Sequence, residues 1–181
     1  MDSSATVSAS GLIYGFQNTL VSMEIGMAGS TTIHKVHEPL YYIDEQGRLW
    51  FIPIGFETDL ASIPRIPVVW FLWGDRVHRE GVLHDFAYRK DSYYFVRNAS
   101  GVWIKVDKQI SRSEADDLLF EAIRSESPCH KGEPFWVSYP VWAGVRVGGW
   151  GAYHNMMVED KYKLDCSYQT IKESNVTVCN K

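Results

Sequence analysis

The chain has 181 residues, 45% of them apolar, 14% aromatic and 22% charged, which suits one packed domain and excludes wholesale disorder. Its 18 basic residues face 22 acidic ones, a formal net charge of -4, and no basic block is dense enough to hold a phosphate backbone, so nucleic acid is not an expected partner. Cys129, Cys166 and Cys179 show neither CxxC spacing nor an even count, which argues against a disulfide framework and a structural zinc site.

Residues 1–32 carry only Asp2 and Glu24 as charges and are rich in Ser, Thr, Gly and Ala. They read as an extended or strand-forming arm. The first basic residue is Lys35, so no secretory leader is expected. Residues 33–155 are expected to form a single α+β domain, with 156–181 as a polar tail. Leu40-Tyr-Tyr-Ile43 and Leu49-Trp-Phe-Ile52 flank Asp44-Glu-Gln-Gly47 and predict a β-hairpin, since the glycine suits positive φ. Tyr93-Tyr-Phe-Val96 and Val102-Trp-Ile-Lys-Val106 predict a second one.

Between the hairpins, Asp75 is placed to cap a helix starting at Arg76. Val77, Gly81, His84 and Tyr88 follow a 4, 3, 4 spacing on it, so His84 and Tyr88 are expected to be neighbours. Ser111 with Glu114 forms a capping-box pattern, and Ala115, Leu118, Leu119, Ala122 and Ile123 make the buried stripe of the helix that follows. Pro128 and Gly132 end that region. Residues 135–150 read as a last buried helix despite Pro140. No stretch reaches a transmembrane span, because 67–73 is too short and 135–150 is broken by Arg146 and glycines.

The chemistry concentrates on His84-Asp85-Phe86-Ala87-Tyr88. An imidazole can take a proton from water, and an adjacent carboxylate can hold a hard divalent cation that polarises a carbonyl or phosphoryl oxygen. Asp116 borders the apolar stripe of its helix and is expected to point inward, where burial demands a donor; His84 can supply one if the helices pack antiparallel. Asp117 instead shares a face with Glu121 and Arg124. Asp59 and Ser62 lie in a loop-like stretch where a ligand could be held or a turn merely capped. No G-x-S-x-G elbow surrounds Ser62, so a serine nucleophile is not expected. His78 lies about 120° from His84 on a helix, too far round to share a metal. His34, His37, His130 and His154 lack partners at metal-ligand spacing and read as surface or turn residues. The bland reading of the whole set is a structural polar network.

Gly55-Phe-Glu-Thr-Asp-Leu-Ala-Ser-Ile-Pro-Arg65, Val82-Leu-His-Asp-Phe-Ala-Tyr88, Ser111-Arg-Ser-Glu-Ala-Asp116 and Ala143-Gly-Val-Arg-Val-Gly-Gly149 resemble the ordered blocks of a domain-of-unknown-function family of tailed phages and prophages. That resemblance implies a phage origin and other virion proteins as partners, in the virion or the host cytoplasm. Locally, His84-Asp85-x-x-Tyr88 followed by Asp116 is similar to secreted phospholipase A(2). By that resemblance His84 activates water, Asp85 ligates calcium, and Tyr88 and Asp116 orient the imidazole. The glycine-rich calcium loop and the bracing cysteines of that family are absent, so calcium would need another loop, such as the one bearing Asp59. Two readings follow: a metal-assisted hydrolase acting on a lipid ester or envelope component, and a non-catalytic virion component.

Overall fold

The computed structural model describes residues 14–28, 31–58, 77–107 and 110–149; Asp59, Ser62, Asp75, His154, the first 13 residues and the tail from 150 lie outside them. Two antiparallel sheets and three helices make up the described part, an α+β fold. The strands are β1 (Gly15–Phe16), β2 (Ser22–Ala28), β3 (Thr31–Val36), β4 (Leu40–Ile43), β5 (Leu49–Ile52), β6 (Glu57–Thr58), β7 (Tyr94–Arg97) and β8 (Trp103–Val106). The helices are α1 (His78–Tyr88), α2 (Arg112–Arg124) and α3 (Phe135–Gly148).

Both expected hairpins form. β4 pairs with β5 and β7 with β8, in a five-stranded sheet ordered β1-β4-β5-β7-β8. Gly47 takes φ +73° at the first turn and Gly101 φ +82° at the second, the left-handed region where a side chain is strained. The first turn is also held by Asp44, fully buried. Asp44 accepts from the amides of Gln46 and Arg48, from Arg48 Nε at 2.6 Å and from Trp50 Nε1 at 2.9 Å. Every residue of β4 and β5 is buried, so their apolar runs are continuous rather than alternating.

The three-stranded sheet, ordered β2-β3-β6, crosses the boundary expected at residue 32, since β2 pairs with β3. β1 meanwhile seats Phe16 in the main core. The strand-forming arm is thus built into both sheets over residues 15–28. Cys129 is disulfide-bonded; an odd cysteine count did not exclude one cross-link.

α1 begins after Val77, which gives no side-chain cap. It is buried all round from Glu80 to Tyr88, so it shows no amphipathic stripe and its polar groups must find partners inside the protein. α2 starts at the expected capping box: Ser111 Oγ accepts from the Glu114 amide, and Glu114 Oε2 accepts from the Ser111 amide at 2.8 Å. Its whole predicted stripe is buried. α3 forms with Pro140 inside it but is not the buried helix expected: Val137, Val141 and Val145 face the core while Phe135, Trp136, Tyr139 and Val147 are exposed. Among the described residues no helix is long and apolar enough to cross a membrane.

Candidate functional site: a buried His–Asp–Tyr cluster

Val77, at the start of α1, shares an apolar cluster with Leu119 and Ile123 near the end of α2. Tyr88, at the end of α1, bonds Asp116 near the start of α2. The two helices are therefore antiparallel, the packing that the His84–Asp116 pairing required. His84 Nε2 lies 3.2 Å from Asp116 Oδ1, and the Tyr88 hydroxyl donates to the same oxygen. One helical turn apart, the His84 and Tyr88 rings sit 4.0 Å between centroids. His84 is 2% exposed and Asp116 0%. Close packing continues at the end of α3, where a Cβ on Gly149 would stand 2.7 Å from the Tyr88 hydroxyl and 2.6 Å from the Val145 carbonyl oxygen.

The electrostatics assign protons within the cluster. Burial lowers the His84 pKa, and the hydrogen bond and charge of Asp116 offset this only in part. For Asp116, burial opposes ionisation, but the hydrogen bonds from His84 and Tyr88, with the charge of Arg146, hold its pKa below the usual carboxylate value. Arg146 Nε stands 3.6 Å from Asp116 Oδ2. Tyr88 is pushed well up by burial and by Asp116, and so stays a donor. At neutral pH, then, Asp116 is a carboxylate and His84 a neutral imidazole with its proton on Nε2. The lone pair is left on Nδ1, which has no hydrogen-bond partner among the described residues.

Asp85 is turned elsewhere. Its Oδ2 accepts from Thr58 Oγ1 of β6 at 2.5 Å, because consecutive helical residues point about 100° apart. Its neighbour in the proposed cation site, Asp59, lies outside the described residues. Among those described, no three His, Cys, Asp or Glu side chains stand close enough together to hold a metal ion.

Sequence spacing did not reveal two further groups. His130, expected at the surface or in a turn, is buried; its Nε2 lies 2.8 Å from Glu80 Oε1 of α1 and its Nδ1 2.8 Å from the Ser125 carbonyl oxygen. Both ring nitrogens are engaged, so it staples α1 to the turn after α2. Glu121, read with the exposed face of α2, lies under β4 and accepts from the Tyr42 hydroxyl at 2.8 Å and the Glu45 amide at 2.9 Å. Burial, opposed by those bonds and helped by Asp44 and Glu45, pushes its pKa up to about 7.

The Glu121 shift sets an expected pH dependence. The folded chain binds the Glu121 proton more tightly than the unfolded chain, so the stability that Glu121 contributes is lost as pH rises from about 4.5 to about 7. Glu121→Gln should flatten that segment of a urea-denaturation series by roughly 1–2 kcal/mol, allowing for partial solvent screening. An unchanged slope would contradict the shift.

Fold and cluster together define a small α+β domain with a buried, hydrogen-bonded His84–Asp116–Tyr88 cluster on paired helices. Residues 34–144, more than half of the chain, match a family described as a protein of unknown function (DUF1353), and the chain belongs to it. No curated protein and no solved structure matches.

Proposed function

We propose that this chain is a phage-encoded hydrolase that cleaves a lipid ester or another cell-envelope component, with His84 as general base. The observation that carries the proposal is a buried imidazole whose Nε2 is committed to Asp116 while Nδ1 has no described partner. A purely structural histidine at this depth would be expected to have both nitrogens satisfied, as His130 has. In the proposed reaction Nδ1 takes a proton from water as the water oxygen adds to the ester carbonyl. The imidazolium then returns that proton to the departing alkoxide, giving acid and alcohol. Asp116 stabilises the transient imidazolium, and Tyr88 keeps Asp116 oriented. The order of the sequence blocks supports the phage origin.

By the phospholipase resemblance a divalent cation, calcium, belongs to the proposal with Asp85 and Asp59 as its ligands; because Asp85 bonds Thr58 and points away from His84, the proton transfer at His84 Nδ1 proceeds without it. The test is hydrolysis of phospholipid vesicles and of a monomeric carboxylic ester by the full chain, with and without chelator, beside His84→Ala. Activity that disappears in the variant supports the reading, and equal rates overturn it. Chelator-resistant activity would remove the cation alone.

One observation favours a second reading. The near-complete burial of His84 and Asp116 also suits a polar network that only fixes the fold of a virion or assembly component. Stoichiometric copies in purified particles, without hydrolysis, would support that reading.

A further inference from the structure

β2 is the outer strand of the β2-β3-β6 sheet, with no strand paired to its far side among the described residues. It runs for seven residues, Ser22-Met-Glu-Ile-Gly-Met-Ala28, and every position from Met23 to Met27 is exposed. Three of them are large and apolar: Met23 is 54%, Ile25 46% and Met27 66% exposed. An open edge of that length offers a row of amides and carbonyls to another strand, and folded proteins blunt such an edge with Lys, Pro, brevity or a bulge. β2 has neither Lys nor Pro. Its one device is the bulge between Glu24 and Gly26, which leaves Ile25 without a partner in β3. The opposite edge of the sheet, β6, is only two residues long.

The residues of β2 complement a second copy of themselves. Two strands related by a two-fold axis normal to their sheet pair antiparallel, and because opposed side chains share a face, the residue on the axis meets its own copy. An axis at Glu24 sets two carboxylates against each other, which is repulsive. An axis at Gly26 pairs only residues 24–28 and leaves Met23 unmatched. An axis at Ile25, the midpoint, pairs all seven residues: Ile25 meets Ile25, Met23 meets Met27, Ser22 meets Ala28, and Glu24 meets Gly26. The single charge of the strand then faces a residue without a side chain, and the exposed apolar side chains fall opposite one another, an arrangement that stabilises a sheet.

We infer that the chain forms a two-fold dimer by antiparallel pairing of β2 with β2 of a second copy, joining two three-stranded sheets into one of six. The contact is isologous and the β6 edge is short, so association closes at two copies instead of growing into a fibre. The inference does not rest on the hydrolase reading, because it concerns other residues and is measured without turnover.

The test is sedimentation equilibrium of the full chain from about 5 µM to about 1 mM, where the mass should rise from one chain toward two. Ile25→Lys, which places two ammonium groups directly opposite each other, should weaken the dimer about tenfold or more. Met23→Lys should weaken it as well, and adding Met27→Glu to that variant should recover about threefold or more, since each Lys then faces a Glu across the axis. Thermal melts of the variants should stay near wild type, because all three side chains are exposed. A chain that stays monomeric at about 1 mM, or a dimer indifferent to Ile25→Lys, overturns the inference. A double variant no tighter than Met23→Lys alone contradicts the pairing about Ile25. Association kept in Ile25→Lys but lost in Phe135→Ala overturns it too and moves the contact to α3.

Discussion

Asp116→Ala is expected to destabilise the protein by about 2–6 kcal/mol, the cost of leaving two buried donors without an acceptor. The substitution deletes the acceptor of two buried donors, His84 Nε2 and the Tyr88 hydroxyl. Each stranded donor costs about 1–3 kcal/mol. Arg146 keeps Asp117 at 2.7 Å, so the loss falls on α1 and α2 rather than on α3. At this chain length the drop corresponds to a melting temperature lower by roughly 10 °C. Asp116→Asn, which keeps an acceptor oxygen in place, should cost much less. The stability contributed by the cluster should also be lost in two acid steps, the first opposed by the Glu121 contribution over the same pH range. Below about 6.5 the unfolded chain protonates His84 while the folded chain resists, and below about 4 protonation of Asp116 removes the acceptor. In Asp116→Ala the second step should shrink. Melts of the two variants across pH check both statements; equal melting temperatures for Asp116→Ala and wild type would contradict them.

His84→Ala is expected to lower ester hydrolysis by about 10²–10⁴-fold, the usual contribution of a positioned general base. Tyr88→Phe, which removes a hydrogen bond to Asp116 without touching the imidazole, should lower the rate about 10-fold or more and shift the acid limb of the rate–pH profile upward. The shift follows because an Asp116 relieved of one donor places more negative charge on His84, and so raises its pKa. A structural network with no catalytic role would give no rate to lose and no profile to shift.

Local spacing was enough to find most of the triad. His84 and Tyr88 are four residues apart on one helix, and Asp116 sits on the border of an apolar stripe that the Ser111–Glu114 capping box had already put in phase. Both hairpins were legible because Gly47 and Gly101 mark turns that need positive φ. Other features depend on long-range packing. The β2–β3–β6 sheet was not read from sequence, since a register shift between Glu24 and Gly26 breaks the alternation in β2. Glu80–His130 and Tyr42–Glu121 join residues with no local spacing to betray them. The exposed aromatic side of α3 was concealed by composition: a helix this rich in Val, Trp and Phe reads as buried on all sides, whereas only Val137, Ser138, Val141, Gly144 and Val145 are. Asp85 was grouped with His84 by adjacency, but adjacency on a helix separates directions, and Asp85 turns to Thr58.

Nitrogen-15 NMR of the histidine side chains between pH 5 and 8 tests the proton assignment most directly, with His84→Gln identifying the resonance. A neutral imidazole protonated on Nε2, with an Nδ1 shift typical of a bare lone pair and a pKa below 6.5, is the predicted result. An imidazolium at pH 7, or a proton resident on Nδ1, would contradict it and leave the cluster without a base.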